Sequence, residues 1–293
     1  ASMRQKVALT AAHLVGTGVV ADLGMGSGTG SEALAALYPR LQVVGVDLDP
    51  EMVARAIQRF DRPNLRFQFG DIATPCFPDA SLDGILDSSV LHHVTTFTGY
   101  DRAAAVRALT VQARQLAPGG VVVVRDFLEP PAGEVWLDVP ADDAPADARS
   151  DDPPAPAGAE VDPRRASTAA LLERFSREFQ PLHEVPGERG FPLAIVADGV
   201  GPAVAPGWRR YRLSRTHAVE FVLRKDYRRD WEREVLERYT YLSQPGFEAA
   251  FAAIGLRVLA STPIRNPWIV ANRFDGRFVM RDVGQDAPLD WPA

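Results

Sequence analysis

ADLGMGSGTG, residues 21–30, sets four glycines at every second position (Gly24, Gly26, Gly28 and Gly30) behind an acid, Asp22. Glycine is costly to order and brings no side chain to bury. Such a run therefore marks a bend where backbone comes close to something else. The stretch ahead, VVADL (19–23), reads as a buried strand. The stretch behind, SEALAALY (31–38), puts Leu34, Leu37 and Tyr38 on one helical face before Pro39 ends it. A glycine bend between a strand and a helix N-terminus is a ligand cradle in open α/β sheets. The dinucleotide pattern G-x-G-x-x-G fails in both registers, because Thr29 or Ser31 takes the third glycine position. Asp22 also disfavours a pyrophosphate and favours a ligand that carries positive charge.

Outward from the bend, apolar runs alternate with helical patterns. LQVVGVD (41–47) is a strand, and PEMVARAIQRF (50–60) is a helix opened by proline in its first turn. LRFQFGD (65–71) and LDGILDSSV (82–90) are strands three and four. DRAAAVRALTVQARQLA (101–117) is a long helix, and PGGVVVVRDF (118–127) turns into strand five. Right-handed crossovers assemble such a series into a parallel sheet with helices on both faces. Later, 167–180 and 244–255 read as helices, and 256–264 and 276–282 as two last strands. Residues 181–242 fit no standard element and read as an insertion beside the sheet.

The 293 residues are 46% hydrophobic and 24% charged, enough to bury a full core. The net charge of −6 disfavours a nucleic-acid partner. A single cysteine, Cys76, excludes an internal disulfide framework and a cysteine-rich zinc site. The opening residues carry no signal-peptide stretch and no run is long enough to span a bilayer, so a cytoplasmic location is expected. Residues 133–162 hold nine acids against Arg149 and read as a solvated surface loop. Residues 208–238 hold ten Lys or Arg against six acids at helical spacing, which reads as a solvated ion-pair face more than an anion site.

The motifs together resemble the class I S-adenosylmethionine-dependent methyltransferases. ADLGMGSGTG is similar to that family's acid-x-G-x-G-x-G motif, whose loop wraps the methionine part of the cofactor. The resemblance implies cofactor contacts from Asp22, Gly24, Gly26 and Gly28. It gives Asp47, ending VVGVDLDPEMV, the ribose hydroxyls, with Leu48 beside it. It gives Asp71 of FGDI the adenine amino group, with Ile72 near the ring, and sets Ser88 near the methionine end. LAPGG (116–120) matches the family's turn into strand five. The fold implied is an α/β, three-layer Rossmann-like one. Its sheet has seven mostly parallel strands with the last antiparallel, plus an inserted lid. The domain reading is a core at 1–180, a lid at 181–242 and the rest of the core at 243–293. The resemblance covers 1–128 well and the final strands loosely. Asp47 and Asp71 have plainer readings as a surface acid and a helix cap.

Methyl transfer mainly needs a nucleophile held in line and water excluded. A base is needed only when that nucleophile starts protonated. His92 and His93, in DSSVLHHV (87–94), are the candidate bases, although histidines at this point also serve as scaffold. The Asn- or Asp-Pro-Pro-Tyr pattern of nucleic-acid amino methylation is absent at 87–90, and RDFLEP (125–130) lacks the acids of a catechol-type metal site, so no metal is expected. Arg125, Asp126, Tyr211, Phe221 and Tyr241 are the candidate substrate contacts, with core packing as the alternative for each aromatic. The expected activity is S-adenosylmethionine-dependent methylation of oxygen or nitrogen on a small molecule. Protein, peptide or RNA methylation, a nicotinamide oxidoreductase and a cofactor-binding protein without turnover are the competing readings. A homodimer is compatible with all of them.

Overall fold

In the computed structural model, which describes residues 7, 10–144, 161–181 and 187–292, the five apolar runs of the first half are parallel strands. They are β1 (Gly18–Leu23), β2 (Leu41–Asp47), β3 (Leu65–Phe69), β4 (Leu82–Ser88) and β5 (Leu116–Arg125). Their order is β3-β2-β1-β4-β5, so the chain reverses its direction of travel across the sheet at β1. Ligands bind outside the carboxyl ends of the strands at such a point. Four helices connect them: α1 (Thr29–Leu37), α2 (Pro50–Arg59), α3 (Leu91–Phe97) and α4 (Arg102–Gln115). Asp49 starts α2 by accepting from Glu51 N at 2.8 Å, and Asp101 starts α4 by accepting from Ala103 N at 2.9 Å. Val20, Leu34, Leu41, Val43 and Leu86 form the core on one side of β1.

The chain divides into two compact units, Ala1–Phe127 with Gln244–Thr262, and Leu128–Ser243 with Pro263–Ala293. This division differs from the expected one. Residues 128–180 go with 181–242 in the second unit, which also takes most of the expected C-terminal core. The Rossmann-like α/β fold stands, but its parallel sheet has five strands, not seven. Residues 256–264 form no strand, and Leu259 there is 67% exposed, so the apolar pattern found no sheet to bury it. Of 276–282 only Val279–Asp282 is a strand, here called β9, and it pairs in the second unit.

That second unit holds an antiparallel sheet ordered β7-β8-β6-β9, with β6 at Glu134–Pro140, β7 at Ala194–Ile195 and β8 at Trp208–Ser214. The expected acidic surface loop therefore contains a strand. Its acids mask the alternation of Val135, Leu137 and Val139, all fully buried. Residues 145–160 of that stretch lie outside the described residues. Helices α5 (Thr168–Glu178) and α6 (Arg215–Arg224) cover the apolar face with Phe175 and Phe221. On the other face Asp138 is buried, accepting from Arg210 at 2.7 and 2.8 Å and from Arg281 at 2.9 Å. In the basic segment 208–238, Arg209, Arg210, Arg212, Arg215, Arg224 and Arg238 pair with acids of the same unit. No helix among the described residues is long and apolar enough to cross a membrane.

Candidate cofactor site

Parallel register sets the carboxyl ends of the strands side by side: Leu23 is level with Val46 and Asp87, Asp47 with Phe69, and Ser88 with Arg125. The glycine bend leaves the tip of β1 at this edge. Gly24 is left-handed (φ +67°), and a β-carbon there would lie 2.2 Å from Val90 Cγ2. Gly26 is also left-handed (φ +55°), but a β-carbon there would meet nothing within 4 Å. One glycine is thus required by the protein's own packing, and the other faces open space.

Asp47 holds the bend in place. Its carboxylate accepts from Gly26 N at 2.7 Å and from Asp49 N at 2.9 Å, tying the loop to the end of β2 and the start of α2. Asp22 is buried, and its Oδ2 accepts from Ser31 Oγ at 2.6 Å, which fixes the acid against α1. Beyond β3, Asp71 accepts from Ala73 N at 2.9 Å in a local turn, Ile72 is buried and Leu48 is half exposed. The structure therefore gathers Asp22, the glycines, Asp47 and Ser88 at adjoining strand ends, with Leu48, Asp71 and Ile72 directly following β2 and β3. These residues fit a cationic nucleoside: an unfilled glycine cradle, a buried acid beside it, and a carboxylate with acceptor capacity left on both oxygens.

The two histidines have different settings. His92 is buried, and its Nδ1 lies 2.8 Å from Asp126 Oδ1. Asp126 also accepts from His92 N at 3.0 Å and Phe127 N at 2.9 Å. Burial alone raises the Asp126 pKa, but His92 and these hydrogen bonds outweigh it and hold the carboxyl below its ordinary range. An ionised Asp126 orients the ring by accepting from Nδ1. His93 lies against His92, ring centroids 4.1 Å apart, and stacks on the exposed Phe97 at 5.9 Å.

Three expected substrate contacts have another role. Tyr211, Phe221 and Tyr241 are fully buried in the second unit, and the Tyr211 hydroxyl donates to Glu173 at 2.5 Å. Aromatic type and basic surroundings suggested a binding wall, and burial makes these residues core.

Asp87 and the short helix α3 are not among the features that the sequence motifs single out. Asp87 is 1% exposed within β4, where an acid in an apolar strand was the available signal. Gln112 on α4 donates to its Oδ2 at 3.0 Å. Burial raises the Asp87 pKa well above the aspartate range, the Gln112 hydrogen bond opposes this, and Asp126 and Asp22 raise it further. Burial therefore favours the protonated form of this group. A raised folded pKa contributes stability below the unfolded value, and that contribution is lost as pH rises toward the folded one. Asp87→Asn removes this titration, so its melting temperature relative to wild type should climb between pH 4 and 8. A constant difference in thermal scans across that range contradicts the assignment.

Residues 21–124 match the family described as a methyltransferase domain. An uncharacterized methyltransferase of Mycobacterium tuberculosis is 32% identical over 117 residues, which is 40% of this chain and 54% of that protein. A trans-aconitate 2-methyltransferase of Methylobacterium nodulans is 34% identical over 119 residues, 39% of this chain and 40% of its own length. A demethylmenaquinone methyltransferase of Beutenbergia cavernae is 37% identical over 112 residues, 38% of this chain and 42% of its own. The chain spans about half, or less, of these relatives.

Proposed function

We propose that this chain, whose residues 21–124 match a methyltransferase domain, is a class I S-adenosylmethionine-dependent enzyme that methylates an oxygen or nitrogen of a small molecule. The observation that carries the reading is the bend at Gly26, open on the side a β-carbon would fill and anchored to Asp47 by a 2.7 Å hydrogen bond. S-adenosylmethionine, when bound, supplies a methyl group on a sulfonium, already electrophilic without further activation.

The chain's own residues then bind, orient and handle protons. Asp47 has lone pairs left for two ribose hydroxyls while it keeps the loop in place. Asp22 sets negative charge beneath the bend, where a cationic amino end is favoured. Leu48 and Ile72 offer apolar surface for a base, with Asp71 at its amino edge, and Ser88 stands beside the methionine end. His92, oriented by Asp126, and His93 next to it are the groups able to take a proton from a hydroxyl or ammonium acceptor. A small acceptor accords with the acidic chain and with the trans-aconitate and demethylmenaquinone named for two relatives.

Incubation with methyl-labelled S-adenosylmethionine and a fractionated small-metabolite extract tests this. The reading expects protein-dependent label in a low-mass product. Label only in protein or RNA fractions overturns the small-molecule part, and no transfer to any fraction overturns the activity.

A further inference from the structure

Arg125 ends β5, level with Ser88 at the tip of β4. The residue is half buried, and among the described residues the only hydrogen bond of its guanidinium is a 3.3 Å contact from one terminal nitrogen to Ser89 Oγ. The neighbouring carboxylate, Asp126, is already engaged by the His92 ring and by two backbone N–H groups.

Other enclosed arginines of the chain are treated differently. Arg174 pairs with Glu178 and Glu232 and donates to Val161 O at 2.9 Å. Arg210 makes a two-pronged pair with Asp138 and donates to Val200 O at 2.7 Å. Arg238 donates to Thr240 O at 2.8 Å and pairs with Glu129. Most of the five donors of Arg125 are thus uncommitted within the protein and open to a ligand or solvent. Burial presses its pKa down, opposed by the charge of Asp126.

The main chain of Arg125 is tied to the loop that follows β4. Ser89 N donates to Arg125 O at 2.7 Å, and Ser89 sits in the left-handed region at φ +59°, unusual for a residue other than glycine. Strain of that kind sits where the surrounding structure fixes a functional geometry, here the crossing from β4 into the loop before α3.

The geometry points to Arg125 as an anion receptor for the methyl acceptor, which therefore carries a carboxylate or phosphate group that the guanidinium fork takes up at the carboxyl ends of β4 and β5. This rests on the methyl-transfer reading above. A planar fork matches either oxyanion with two parallel hydrogen bonds, and lysine, a point charge, does not reproduce that match.

The test uses the full chain saturated with S-adenosylhomocysteine and titrated calorimetrically with tricarballylate and, separately, with phenyl phosphate. One of the two should bind wild type, and which one distinguishes a carboxylate acceptor from a phosphate one. Arg125→Gln should weaken that binding roughly 10-fold or more, with Arg125→Lys between the two. Affinity for S-adenosylhomocysteine should stay within about twofold in both variants, which also shows that they are folded. If neither anion binds the loaded wild type, or if Arg125→Gln binds as well as wild type, the inference is overturned while the methyltransferase reading stands. Failure of S-adenosylhomocysteine itself to bind wild type removes that reading first.

Discussion

Arg224→Met is expected to destabilise the second unit by about 3–5 kcal/mol. Arg224 is fully buried and pairs with Glu220, one turn earlier on α6 and equally buried. Its other donors reach three carbonyls: Glu220 O at 2.9 Å, Glu234 O at 2.6 Å and Glu237 O at 3.0 Å. The rings of Phe175, Phe179 and Tyr239 stand 5.3, 4.8 and 4.5 Å from its guanidinium carbon. Glu220 in turn accepts from Thr240 N at 2.7 Å and Thr240 Oγ1 at 2.6 Å, so the pair ties α6 to the segment at 234–240. Methionine fills much of the volume but strands the Glu220 charge in a low-dielectric interior. The pair Arg224→Met with Glu220→Gln should therefore be more stable than Arg224→Met alone. All five tryptophans lie in the second unit, so urea unfolding followed by their fluorescence reads it directly. A loss under about 1 kcal/mol contradicts the buried pair.

Gly24→Ala should cost the first unit about 2–5 kcal/mol, the sum of a left-handed alanine and a methyl forced into Val90. The intruding carbon would sit 2.2 Å from Val90 Cγ2 and 2.6 Å from Val90 Cβ. Val90 has little room to yield, because it leads straight into α3, whose Leu91 is fully buried. Gly26→Ala, two residues on, meets no atom and should cost only the left-handed backbone, about 1 kcal/mol. Scanning calorimetry of the two variants compares them directly. Equal melting temperatures would show that the contact with Val90 is not as described.

The parallel half of the fold was legible because each strand is a short apolar run bounded by its own punctuation. Pro50 after Asp49 and the acid at Asp101 mark helix starts whose caps are present in the structure. The second unit was not legible for a physical reason. β6 carries Glu134 and Asp138 on the face opposite Val135, Leu137 and Val139, so charge counting read it as loop. Its partners β8 and β9 lie more than sixty residues further along the chain, and no local pattern reports that pairing. β9 shows the same limit in reverse, since its alternation is real and only its sheet was misassigned. At the site, Asp22, Asp47 and the glycines stand out because their residue types are unusual at strand ends. Asp87 is equally unusual, but its meaning depends on Gln112, which α4 brings to it from 25 positions away. Tyr211, Phe221 and Tyr241 misled because an aromatic side chain looks the same in a core and in a binding wall.

The central claim is that the bend at Gly26 cradles S-adenosylmethionine, and titration of S-adenosylhomocysteine into wild type and Gly26→Ala tests it most directly. The account predicts one nucleoside per chain for wild type and a loss of roughly 30-fold, about 2 kcal/mol, for the variant, whose melting temperature falls by only a few degrees. Equal affinity in the two proteins, or no binding to wild type, would contradict it.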